Sequence, residues 1–211
     1  MKTRLTLILL FSSTLIFGQQ DSIDNKLRLT LTPLSLIDFY SGSSPRIGIE
    51  YKLKNNYAFY HEIGTYFPNF NGIKNNQGIL AKTEFKYYLK KSGFTSDTYF
   101  SAELFYKYQT YNTWDTINIK PIYRKDYTVY KSVGCFTIKY GLVEFFKCGI
   151  TLDYFVGLGV RFKNAHSTLT TEENNNIQRV GDNGGNILEN KAGQFILPNF
   201  EAGFKIGYKL K

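Results

Sequence analysis

The sequence predicts an all-β fold, an eight-stranded antiparallel up-and-down β-barrel that is transmembrane. Three observations carry that prediction. Segments along the chain alternate apolar and polar side chains with a period of two; there are 17 Tyr and 18 Phe against one Met and one Trp; and the connections alternate between short and long. A strand sends successive side chains to opposite faces, and Tyr and Phe favour strands. No stretch after residue 18 reaches the roughly 18 consecutive apolar residues that a membrane helix needs. A membrane location therefore requires a barrel.

Taken in order, the chain opens with "MKTRLTLILLFSSTLIFGQQ", in which Lys2 and Arg4 precede an apolar run and then small residues up to Gly18. That order is expected of a secretory signal peptide over residues 1–18. Residues 19–211 are then the barrel domain, about 193 residues and enough for one interior. Removing Lys2 and Arg4 from the 26 Lys and Arg leaves 24 against 17 Asp and Glu, a net +7. An exported chain does not meet nucleic acid by default, so no nucleic-acid partner is expected. Attraction to anionic head groups or loop solubility explains the charge.

Strands are expected at 26–38, 45–53, 57–67, 79–90, 98–110, 128–141, 150–163 and along 200–210. Pro33 interrupts the first, as a bulge or the edge of regular pairing. In the second, Ile47, Ile49, Tyr51 and Leu53 alternate with Arg46, Gly48, Glu50 and Lys52. The fifth sets Phe100, Ala102, Leu104, Tyr106 and Tyr108 against Ser101, Glu103, Phe105 and Lys107. Alternation blurs at the start of the sixth. The seventh divides most cleanly: Ile150, Leu152, Tyr154, Val156, Leu158, Val160 and Phe162 share one face, and Thr151, Asp153, Phe155, Gly157, Gly159, Arg161 and Lys163 the other. The last places Phe200, Ala202, Phe204, Ile206, Tyr208 and Leu210 opposite Glu201, Gly203, Lys205, Gly207 and Lys209. No helix of useful length is expected.

Alternation alone does not say which face is outside. Aromatic residues near strand ends, strands of the nine to eleven or so residues that a tilted membrane strand requires, and short turns opposite long loops favour the apolar face toward lipid. The short gaps are 54–56, 91–97 and 142–149; the long ones, about 68–78, 111–127 and 164–195, are expected to be extracellular. Only the segment from 40 to 45 departs from this order. Both termini are then periplasmic and the location is the cell outer membrane. Outer-membrane lipid is the expected surrounding.

The signal segment, "LDYFVGLGVRFKN" and "FEAGFKIGYKLK" carry a resemblance across the whole mature chain. It resembles the small eight-stranded outer-membrane β-barrel proteins, of the kind shared by OmpX-type proteins and the OmpA membrane domain, in a Tyr- and Asn-rich style similar to versions found in Bacteroidota. It departs from many of them in ending on Leu210 and Lys211 rather than an aromatic residue. The resemblance implies a monomer with a structural or surface-interaction role.

The polar face collects Arg46, Glu50, Glu62, Lys82, Glu84, Lys86, Glu103, Lys107, Lys139, Asp153, Arg161, Glu201 and Lys205. Eight strands leave room for side chains and not for a wide channel, so these are expected to form an ion-pair network filling the lumen, with Arg161 facing a carboxylate. No catalytic residue, metal or cofactor is expected, and the chain is not expected to be an enzyme. Gly157 and Gly159 lack the third glycine, the helix and the βαβ setting of a dinucleotide site; they are expected to make space for lumen neighbours. Cys135 and Cys148 would face each other only if the hairpin turned at Gly141 and Leu142, whereas a turn near 144–147 keeps them apart.

His166 lies beside Ser167 and Thr168 with Glu172 and Glu173 close by, which is similar to the His, Ser and Glu of lipid A deacylases of the PagL type. Here Thr168 holds the matching alternate position and Ser167 the other face, so the match is broken. His61 is expected at the membrane interface. The polar loop 164–195 offers contact with a surface or membrane-protein partner. The alternatives are an outer-membrane lipid-modifying enzyme and a soluble exported barrel binding a small apolar ligand; the latter requires the Tyr and Phe face to turn inward.

Overall fold

The computed structural model describes residues 27–37, 44–53, 56–68, 74–89, 96–178 and 192–210. The expected signal segment lies outside the described residues, as do 179–191 of the expected third loop. Eight strands close a ring: β1 (Leu27–Leu31), β2 (Arg46–Lys52), β3 (Tyr57–Thr65), β4 (Lys74–Tyr88), β5 (Ser96–Ile117), β6 (Tyr123–Phe145), β7 (Ile150–Ser167) and, after a short helix α1 (Thr171–Asn175) and a two-residue β8 (Ile177–Gln178), β9 (Gly193–Lys209). Every neighbouring pair is antiparallel, and β9 pairs back with β1 to complete the circle. Closure satisfies the ladder all round and leaves the ring without an edge.

The faces fall as the alternation requires. Ile47, Ile49, Leu104, Tyr106, Ile138, Tyr154, Val156, Leu158 and Phe200 are exposed on the outside, with Leu158 at 63% and Phe200 at 76% of full accessibility. Aromatic side chains cluster on this wall toward the short turns, where Tyr57 lies against Phe85 and Tyr87 at ring distances of 5.4 and 5.1 Å and Phe100 against Tyr140 at 5.2 Å. Glu50, Glu62, Glu84, Lys86, Glu103, Lys139, Asp153 and Lys205 are buried inside. The barrel is thus polar within and apolar without.

Glycines admit the largest inward rings. A methyl group on Gly141 would overlap the Tyr99 ring, and one on Gly203 would sit 3.0 Å from Phe155 Cζ. Gly157, paired with Lys139, leaves room for that lysine: a Cβ there would lie 2.8 Å from Lys139 Cγ and 2.9 Å from Thr137 Cγ2. The expectation that these seventh-strand glycines make space for lumen side chains is met at Gly157. At Gly159 the neighbour is backbone, the carbonyl oxygen of Phe136.

Several boundaries differ from the sequence reading. The first strand ends at Leu31, and residues Pro33–Ile37 form a 3-10 turn, because proline has no N–H to give to the ladder. The expected loop 111–127 is largely strand: β5 and β6 stay paired from Ser96 and Glu144 to Ile117 and Tyr123. Asn112, Thr113, Trp114, Asp115 and Thr116 are all half-buried, so this run lacks the two-residue period of the barrel wall while keeping the backbone pairing. The expected loop 68–78 is shortened by β4, which starts at Lys74 and contains a register shift between Lys74 and Gln77. Helix α1 also goes beyond the sequence reading. Thr170 caps it, accepting from the Glu173 N–H while the Glu173 carboxylate accepts from the Thr170 N–H, the reciprocal pattern of Thr followed three residues later by Glu.

Candidate functional site

Ion pairs stand inside the ring in successive tiers. Nearest the short turns, Arg28 on β1 donates to Glu50 at 2.5 Å and to Asp153 at 3.1 Å, while Lys86 on β4 reaches the same two carboxylates at 2.9 and 2.7 Å. Tyr88 donates to the second Glu50 oxygen at 2.8 Å and Tyr99 to the second Asp153 oxygen at 2.7 Å. Two cations and two anions thus share four strands. The next tier pairs Lys205 with Glu84 at 2.9 Å, with Ser101 donating to the other Glu84 oxygen at 2.6 Å and the Lys205 ammonium 3.8 Å from the Tyr60 ring centre.

A second four-charge arrangement lies above. Lys82 meets Glu201 at 2.5 Å and Glu103 at 3.5 Å; Lys139 meets Glu103 and, at 3.2 Å, Glu201. Glu62 accepts from the hydroxyls of Thr32 and Tyr60 at 2.6 and 2.7 Å. The pairs within these tiers are electrically balanced. Balance is what burial demands, since an isolated charge out of water costs several kcal/mol or more.

The structure brings Glu50, Glu62, Lys82, Glu84, Glu103, Lys139, Asp153, Glu201 and Lys205 into this network. Arg46 and Arg161 lie on the same inner face, where Arg46 donates to Ser44 Oγ at 2.9 Å and Arg161 donates to Asn199 Oδ1 at 3.0 Å. Sequence reasoning missed Arg28, which joins β1 to β2 and β7, although a lone charge between Leu27 and Leu29 marks it by parity. It also missed the inward tyrosines 60, 88 and 99. Their residue type suggests the lipid side, but Tyr60 shares its face with Glu62.

Past the ring, the β5–β6 hairpin carries a small apolar cluster of Tyr111, Tyr127 and Val129 with Leu169 packed against it. Helix α1 docks on the hairpin through Glu173, which accepts from Lys125 Nζ at 2.6 Å and Tyr123 Oη at 2.8 Å. β8 adds a short rung to β5, and the Arg124 guanidinium stacks 3.7 Å from the Trp114 ring centre. The Lys125 contact, then the Thr170 N–H and Tyr123, hold the Glu173 carboxyl down to a pKa of about 2. Its hydrogen bond to Glu173 pushes the Tyr123 hydroxyl up.

His166 is exposed on the outer parity and Ser167 is half-buried on the inner one. The Thr168 hydroxyl accepts from the Thr128 N–H at 3.1 Å, and Glu173 is engaged by the hairpin. His166 and Ser167 thus lie on opposite faces, and Thr168 and Glu173 are engaged elsewhere. His61 lies on the outer face with Nδ1 3.1 Å from Thr83 Oγ1. The β6–β7 turn falls at Phe146 to Gly149, closed by a Gly149 N–H to Phe146 carbonyl bond of 3.0 Å; Cys135 and Cys148 are both free thiols.

No protein-family model matches the chain. No curated protein matches it. Among solved structures, it is similar to the N-terminal β-barrel domain of OprF from Pseudomonas aeruginosa, with 15% sequence identity over 88% of this chain and 98% of that one, at a TM-score of 0.43.

Removing one member of a balanced tier strands its partners. Arg28→Met leaves Glu50 and Asp153 with one cation and is expected to lower stability by about 3–5 kcal/mol, read as the urea midpoint in detergent micelles. The double change Lys139→Met with Glu103→Gln is expected to cost less than the sum of its single changes. Glu173 has a folded pKa below its ordinary value, so its contribution is complete above pH 4.5 and is lost as pH falls toward about 2. Hydrogen exchange of α1 is expected to accelerate across that window, and Glu173→Gln to remove the pH dependence.

Proposed function

We propose that the chain is a small outer-membrane β-barrel protein. It is exported by its N-terminal signal segment, its termini lie in the periplasm, its lumen is closed by charged side chains, and its role is structural or exercised through contacts made by the extracellular loops. The observation that carries this reading is the inversion of the faces: balanced ion pairs inside, a continuous wall of Leu, Ile, Val, Phe and Tyr outside. In water such a wall far exceeds the apolar patches that monomers tolerate; in a bilayer it is the surface a barrel presents, with aromatic residues at its borders.

The lumen side chains meet across the ring, which supports a plug over a pore. The β5–β6 hairpin with α1 and β8 folded on it supplies a structured platform beyond the band, suited to a surface polysaccharide or a neighbouring membrane protein. We propose that the protein acts without catalysis and as a monomer. A soluble barrel holding an apolar ligand would need the Tyr and Phe face turned inward, and that face points out.

Fractionation of cells with heat-modifiable gel mobility is the test. The mature chain is expected in the outer-membrane fraction, migrating faster before boiling than after. Leu158→Lys, near mid-height on the outer wall, is expected to cost about 2–4 kcal/mol in bilayers. In a soluble barrel an exposed lysine would change stability by no more than about 0.5 kcal/mol. Recovery in the soluble periplasm with a neutral Leu158→Lys would overturn the reading.

A further inference from the structure

The ring is closed, without an edge, as far as β1 reaches: β1 pairs with β9 from Arg28 and Lys209 to Leu31 and Ile206. Beyond Ile206, β9 runs on to Gly193 with β7 paired along one side of it. Among the described residues no strand lies on its other side. The 3-10 turn of Pro33–Ile37 stands next to β9, but no backbone hydrogen bond joins the two, and the Ser35 carbonyl accepts instead from the Ser44 N–H at 2.8 Å. This part of β9 is an edge strand.

The alternation of its hydrogen bonds identifies the groups on the open side. In an antiparallel sheet successive residues of a strand bond to one neighbour and then to the other. The Leu210 N–H donates to the Leu27 carbonyl at 3.0 Å, and the Lys209 N–H to the Gly149 carbonyl at 2.9 Å. Even-numbered residues therefore address β1, and odd-numbered ones β7. The register with β7 carries through without a shift, which assigns the backbone of Ile196, Pro198, Phe200, Ala202 and Phe204 to the open edge. Pro198 has no N–H and falls where β7 requires none, the place that a proline takes in a sheet.

Three side chains agree with an open flank. Phe200 at 76% and Ile196 at 72% are the most accessible large apolar residues described. Glu201 keeps 21% of its accessibility, while Lys82, Glu103 and Lys139 of the same tier keep 6% or less. Backbone donors and acceptors on an edge limit what can cover it. An acyl chain offers neither, and a helix uses its own internally; an extended peptide presents both at the spacing of a strand.

We propose that the β9 edge from Ile196 to Phe204 binds an extended polypeptide segment of a partner, added antiparallel like every other pair in the wall. Its side chains alternate, apolar ones outward beside Phe200 and Ala202 and polar ones inward beside Asn199 and Glu201. That hydrocarbon borders this edge rests on the membrane reading above; the edge itself does not.

The test uses the full mature chain in detergent micelles and reads amide hydrogen exchange residue by residue. Without peptide, the N–H groups of Phe200, Ala202 and Phe204 are expected to exchange at least about tenfold faster than those of Glu201, Gly203 and Lys205, which bond to β7. The probe is a peptide of about eight residues alternating valine and threonine, within the usual length of a strand. Adding it is expected to slow exchange at Phe200, Ala202 and Phe204 by at least about tenfold and to leave the other three unchanged. In the antiparallel pairing the outward valines carry the N–H groups that meet β9. Methylating the valine nitrogens is therefore expected to abolish the effect, and methylating the threonine nitrogens to preserve it.

Equal protection of both sets of amides without peptide would overturn the proposal, because the edge would then be closed by the chain itself or, where protection rises with protein concentration, by a second copy. So would an unmodified peptide that slows nothing, or a valine-methylated one that works equally well, which would mark contact through side chains alone. All of these readings are made in micelles, so a failed fractionation bears on location and a failed exchange experiment on the edge.

Discussion

The structure depends on the mutual neutralisation of charges inside a closed ring. Arg28, Glu50, Lys86 and Asp153 come from β1, β2, β4 and β7, and none is tolerable there without the others. Hydrophobic burial organises only part of this interior: most large apolar residues face outward, and inside a small cluster of Ala58, Tyr88, Tyr99 and Val143 packs together. Backbone pairing round the ring and balanced ion pairs across it supply the rest. Since a buried ion pair roughly offsets its own desolvation, the network specifies register more than it adds stability: a one-residue slip of any strand would send its charges to the outer wall.

The remaining features follow from that division. Two of the ring-sized side chains that enter the lumen do so where a neighbouring strand offers glycine, Tyr99 against Gly141 and Phe155 against Gly203. The outer wall, freed from packing, carries a uniform apolar surface with aromatic clusters toward the short turns, the arrangement that a bilayer stabilises. Where β5 and β6 leave the band, the rule relaxes, and the hairpin builds its own small apolar cluster and docks α1 through one acid, Glu173. The parts of the molecule most exposed to partners are thus those least constrained by the lumen.

How much of this the sequence disclosed depends on how tightly each residue was constrained. In β7 both faces are fixed, one by the charged interior and one by the apolar wall, and residues 150–163 could be read directly. The hairpin at 111–127 could not, because backbone pairing persists there without the side-chain period that reveals it. The first strand was over-extended through Pro33 for want of a clear alternation beyond Leu31. Arg28 was legible by parity but stood in a strand too short to display a pattern. Tyr60, Tyr88 and Tyr99 are ambiguous by type, since an aromatic residue suits the outer wall equally well; only their parity with Glu62, Lys86 and Asp97 indicates the lumen. The Thr170 and Glu173 cap was readable from spacing alone, whereas its docking on Lys125 and Tyr123 required the folded hairpin.

Odd-numbered positions of β7 face the polar interior and even-numbered ones the apolar outer wall, which the proposed membrane location sets against lipid. Spin labels placed one at a time from 152 to 162, with Cys135 and Cys148 replaced by serine and the protein in bilayers, measure this through collision with oxygen and with a water-soluble nickel complex. High oxygen accessibility is expected at 154, 156, 158 and 160, and low accessibility to both reagents at 153, 155, 157 and 159. Even-numbered positions that collide freely with the nickel complex along the whole strand would contradict it.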